Sequence, residues 1–123
     1  MDKQIETIED IRLLVDSFYD KVRQDQILAP VFSEKIQDWP PHLDKMYRFW
    51  QSILLEQHTY NGAPFLKHVM LPIGQEHFNR WLALFYETVD SLFSGGKAQE
   101  AKFRATRIAD VFQFKMGLTS RNK

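Results

Sequence analysis

Apolar residues recur at intervals of three and four in four separate stretches of this chain, and the interval between the second and third stretch, residues 57–75, is broken twice by turn formers. Over residues 9–23 the positions Ile11, Leu14, Val15, Phe18 and Val22 share one side of a helix, with Thr7 and Asp10 as candidate caps and Tyr19 at the edge of the stripe. A short helical turn is expected at 27–32, then a looser stretch to Trp39. Pro40 and Pro41 suit the first turn of the next helix, where a missing amide costs least. From His42 to about residue 57, Met46, Phe49, Trp50, Ile53 and Leu54 keep the helical rhythm, and His42 lies on the same face. Phe78, Trp81, Leu82, Phe85, Val89 and Leu92 predict a helix over 75–93, closed by Ser94, Gly95 and Gly96. Ala101, Ala105, Ile108, Ala109, Phe112 and Met116 predict the last one, over 97–116, with small alanines that let a neighbouring helix come close.

No segment alternates polar and apolar residues as a strand does, so the fold class is all-α. The interval 57–75 is the irregular part: Asn61, Gly62 and Pro64 make a turn, residues 65–69 suit a very short helical piece, and Leu71, Pro72, Ile73 and Gly74 break the chain again. An up-and-down bundle needs only short turns, so this interval marks a place where something is held.

A chain of 123 residues has room for one domain with a real core, here residues 1–123 with the core at about 8–116. Sixteen basic against sixteen acidic residues leave no basic tract for a phosphate backbone, which argues against nucleic acid. Without cysteine there is no disulfide, thiolate metal site or thiol catalysis. The acidic start MDKQIETIED and the shortness of every apolar run predict neither a signal peptide nor a membrane span, and the expected location is the cytoplasm. Aromatic residues make up 14% of the chain against four histidines, which fits either dense packing or a flat ligand surrounded by rings.

The histidines stand at 42, 58, 68 and 77 and form no tight zinc motif; Glu76 and His77 are adjacent and cannot face one ion from a helix. A flat macrocycle carrying iron needs less: one imidazole, a slot of apolar rings and a polar group opposite. His68, in the short element after Phe65 and Leu66, is the candidate ligand, with a surface or capping histidine as the plain alternative. His42 reads either as a packing histidine or as one that faces a pocket. Tyr19 offers a hydroxyl and Trp81 an indole N–H, each also explicable as core. Phe32, Phe49, Trp50, Phe78, Phe85 and Phe112 need no cofactor to account for them.

Taken together, FYDKVRQD, PVF at 30–32, the spacing of His42, Met46, Phe49 and Trp50, YNGAPFLKHVMLPI at 60–73 and EHFNRWLALF at 76–85 resemble the truncated haemoglobins, specifically their group III branch, over residues 8–116. The resemblance implies a shortened globin, a two-over-two helical sandwich, with haem b bound noncovalently. It implies His68 as the proximal iron ligand, His42 as the distal-helix histidine at the haem entrance, Tyr19 as the distal tyrosine and Trp81 as the tryptophan on the ligand side. Phe32 is implied to pack on the macrocycle, Met46, Phe49 and Trp50 to line the pocket from the distal helix, and Phe78 to join the haem contacts. His77 does not match the proximal position.

The expected function is reversible binding of dioxygen or another diatomic, carbon monoxide or nitric oxide, by a monomer. An enzyme for nitric oxide dioxygenation or peroxide chemistry, served by a separate reductase, is the alternative. A cofactor-free helical binding protein is the third reading.

Overall fold

The computed structural model describes residues 3–55 and 74–115. Among them the chain forms five helices and no strand: α1 (Ile8–Gln24), α2 (Ala29–Lys35), α3 (Trp39–Leu54), α4 (Gln75–Leu92) and α5 (Gly96–Lys115).

The helix starts follow from local chemistry. At α1 the Thr7 hydroxyl accepts the Asp10 N–H at 3.3 Å and the Asp10 carboxylate accepts the Thr7 N–H at 3.1 Å, a reciprocal capping box. Glu9 and Asp10 lie in its first turn and Lys21 and Arg23 in its last, each on the side the helix dipole favours. Pro40 and Pro41 occupy the first turn of α3. At α4 the His77 N–H donates to the Gly74 carbonyl at 3.1 Å, and the Gly74 N–H donates back to His77 Nδ1 at 2.9 Å.

The corner between α1 and α2 is built by Asp25. Its carboxylate accepts the N–H groups of Ile27 and Leu28, both at 3.0 Å, and Arg80 Nε from α4 at 2.6 Å. The second helix starts after this corner, at Ala29, later than expected, and runs to Lys35.

The pair α1 and α3 lies over the pair α4 and α5: α1 packs on α3 and on α4, α4 packs along α5, and α2 covers α1. The result is a two-over-two helical sandwich. Ala98, Ala101, Ala105 and Ala109 are sealed from solvent, so α5 meets its neighbours through a strip without bulk. Ile11, Leu14, Val15, Phe18 and Val22 bury the expected stripe of α1, and Tyr19, expected at its edge, is buried with them. On α4 the buried arc is Phe78, Leu84, Phe85, Thr88 and Val89, while Trp81, Leu82 and Leu92 are half-buried. With α1 on one side and α5 on the other, α4 buries more than a single stripe. Thr88 tolerates burial because its hydroxyl donates to the Leu84 carbonyl at 2.7 Å.

Between α4 and α5 the turn rests on Gly95, whose φ of +92° favours glycine; a Cβ there would also come within 3.0 Å of the Gln4 side chain. Gly96 already belongs to α5. The same turn holds the start of the chain, since the Ser94 N–H donates to the Lys3 carbonyl at 2.8 Å and Ile5 is sealed in the core. None of the described helices is long and apolar enough to cross a membrane. The short element expected at 65–69, His58, His68 and Met116 lie outside the described residues.

Candidate functional site

Between the two helix pairs lies a cleft of about 650 Å³, counting the space at its mouth. From α1, the α1–α2 corner, α2 and α3 it is lined by Phe18, Tyr19, Leu28, Phe32, Met46, Phe49 and Trp50; from α4 and α5 by His77, Phe78, Trp81, Ile108, Ala109 and Phe112. Among the described lining residues none is a carboxylate, a lysine or an arginine, and these walls suit a flat, mainly apolar group.

The walls are rigid because the rings brace one another. Phe85, sealed in the core, stacks on Trp50 at 5.1 Å and 19° and on Trp81 at 5.9 Å and 12°, which ties α3 to α4 through three nearly parallel rings. Phe18 stands edge-on to both Trp81, at 5.5 Å, and Phe85, at 5.2 Å. Phe78 meets Phe112 at 6.4 Å on the α4–α5 side. Such contacts add to area burial and leave each ring one way to lie.

Tyr19 is the buried polar group of the cleft. Its ring is held by Phe18 at 4.9 Å, Phe32 at 6.3 Å and Trp39 at 5.7 Å. Burial pushes its phenol well above the usual tyrosine value, so the group stays protonated and remains an O–H donor. Trp81 brings an indole N–H from the opposite helix pair.

The structure therefore brings Tyr19, Phe32, Met46, Phe49, Trp50, Phe78 and Trp81 to one cleft. It does not set His42 in that lining. The His42 ring packs edge-on to Tyr19 at 5.4 Å and edge-on to Trp39 at 5.7 Å, with its Nε2 shut off from solvent. His68 lies outside the described residues. Phe18, Leu28, His77, Ile108, Ala109 and Phe112 line the cleft as well. For Phe18, Ile108, Ala109 and Phe112 the helical stripes carried the signal without separating core from cleft. His77 was readable only from its place in the first turn after Gly74.

Residues 3–116 match the family described as bacterial-like globins. The chain is 38% identical over 117 residues to the group 3 truncated hemoglobin ctb of Campylobacter jejuni, covering 89% of this chain and 92% of that protein. The crystal structure of a group III truncated hemoglobin from Campylobacter jejuni superposes with a TM-score of 0.86 at 34% identity, over 100% of this chain and 99% of the other. The X-ray structure of a truncated oxygen-avid haemoglobin from Bacillus subtilis shares the fold, with a TM-score of 0.75 at 24% identity over 86% of this chain and 92% of the other.

Proposed function

Because the chain belongs to the bacterial-like globins and, within them, to the group III truncated haemoglobins, we propose that its cleft holds haem b noncovalently and that the protein binds a diatomic gas there. The observation that carries this is the cleft itself: apolar rings on both walls, with a sealed phenol on one side and an indole on the other. Those residues fit a flat macrocycle, and Phe32, Phe49, Trp50 and Phe78 would hold its faces and edges by apolar contact.

When bound, haem b supplies an iron that coordinates oxygen, carbon monoxide or nitric oxide. We assign His68 as the protein ligand to that iron, through the unprotonated nitrogen of a neutral imidazole. Tyr19 and Trp81 then act as the donors. A gas molecule that takes on negative charge is stabilised by a hydrogen bond from a dry O–H more than the neutral gas is. The packed rings keep competing water out, which strengthens that bond. His42 acts one step back, by fixing the Tyr19 ring through their edge-on contact.

The test is the absorption spectrum of the purified chain, oxidised, reduced and with carbon monoxide, after incubation with haem. A Soret band that shifts on reduction and with carbon monoxide is expected. Absence of the band in haem-saturated protein would refute the cofactor. In His68→Gly the ligation spectrum should change and be restored in part by added imidazole; an unchanged spectrum would remove His68 from the iron.

A further inference from the structure

His77 is the lining residue that packing leaves unexplained. It sits at the third position of α4, half-buried, beside Phe78 in the cleft wall. Its Nδ1 accepts the Gly74 N–H at 2.9 Å, so that nitrogen carries the lone pair, and the neutral ring carries its proton on Nε2. Ring orientation and tautomer are thus both set by the backbone. The donor lies in the first turn of an 18-residue helix, whose amide end favours negative charge. Among the described residues, the others lining the cleft are hydrocarbon or thioether side chains, apart from the phenol and the indoles. A b-type porphyrin is an apolar disc with carboxylates along one edge, and apolar walls cannot satisfy those carboxylates.

We infer that His77 recognises a carboxylate of the flat ligand, donating from Nε2–H while the Gly74 amide holds the imidazole in place. This rests on the cofactor reading above, and it gives the cleft a preferred edge for the ligand's acidic side.

The experiment compares haem with haem dimethyl ester, which keeps the disc and removes the acids. The full chain is loaded with each, and loss to an excess of acceptor apoglobin is timed. The wild type should release haem about tenfold more slowly than the ester, the size of one hydrogen bond to a charged group at a partly wet site. His77→Leu should erase that difference. His77→Glu keeps a side chain able to reach back to the Gly74 amide but sets a carboxylate against a carboxylate, so it should retain the wild-type melting temperature and release haem faster than the ester. A haem-to-ester ratio unchanged in both variants overturns the inference. So does a parallel rise in both release rates, which would make His77 a helix cap alone. A wild-type chain that retains neither compound overturns the cofactor reading, and the inference with it.

Discussion

Removing the Asp25 carboxylate tests how the cleft is held open at its α1–α2 corner. The side chain is 5% exposed and accepts three donors: the amides of Ile27 and Leu28 and the Arg80 guanidinium. Burial by itself would raise the Asp25 carboxyl, but Arg80 and the two amides outweigh it and hold the group below the usual carboxylate range. In Asp25→Ala the Leu28 amide, whose bond is buried, loses its partner, at about 1–3 kcal/mol. The Ile27 amide is partly wet and costs about 0.5 kcal/mol. The Arg80 side chain is 45% exposed, so screening leaves its pairing worth about 0.5 kcal/mol. The sum is about 2–4 kcal/mol, or a melting temperature lower by roughly 8–16 °C for a chain of this length. Urea unfolding followed by circular dichroism, with all variants in the same cofactor state, measures it. Arg80→Ala in parallel should cost less than about 1 kcal/mol. The reasoning fails if Asp25→Ala costs less than that, or if Arg80→Ala costs as much as Asp25→Ala, because the energy would then lie in the ion pair and not in the corner amides.

Three other outcomes are expected. Tyr19→Phe keeps the ring and removes the donor, so oxygen release followed by stopped flow should speed up by about 10–100-fold, and Trp81→Phe by less because that indole is half-buried; unchanged rates in both would end the donor role. Ala105→Leu forces bulk into a fully buried position of α5 and should cost about 1–3 kcal/mol in urea, whereas Phe103→Ser, at a ring that is 61% exposed, should cost almost nothing. Asp10, like Asp25, has its carboxyl lowered: burial raises it, and the amides of Glu6 and Thr7 with the Lys3 ammonium outweigh that. Both carboxylates therefore contribute stability that is complete above the unfolded value of about 3.9 and is lost as pH falls through the lower folded values. An acid titration of stability should be level above about pH 5 and fall below about pH 4, and Asp10→Asn with Asp25→Asn should flatten that fall.

Much of the secondary structure is readable from neighbours in the chain. Thr7 and Asp10 cap α1 because the spacing of three suits a capping box whatever surrounds it, and the stripe Ile11, Leu14, Val15, Phe18 and Val22 is one face of any helix. The limits of α2 were not readable; the corner before it is braced by the Asp25 carboxylate, which is itself held by Arg80, 55 positions away. The burial of Leu84 and Thr88 was not readable either, since it depends on α4 being covered from two sides.

The site divides along the same line. Periodicity identifies the apolar positions, and the ordered motifs identify the family, so the residues that carry rings and donors are present in the sequence as a set. Which of those rings form a wall and which form the core is a matter of how two helix pairs cross. Phe85 becomes the buried brace between Trp50 and Trp81, Phe18 and Phe112 reach the cleft, and His42 packs edge-on against Tyr19 and Trp39 outside the cleft lining. The sequence by itself determined an all-α chain, while its ring content fitted dense packing as well as a flat ligand, and only the resemblance to the truncated haemoglobins implied a noncovalent haem slot. Tertiary structure alone decided that Tyr19 is sealed and that His77 stands in the cleft wall, because both depend on contacts between elements, whereas the bond from the Gly74 amide to His77 Nδ1 is local to the helix start.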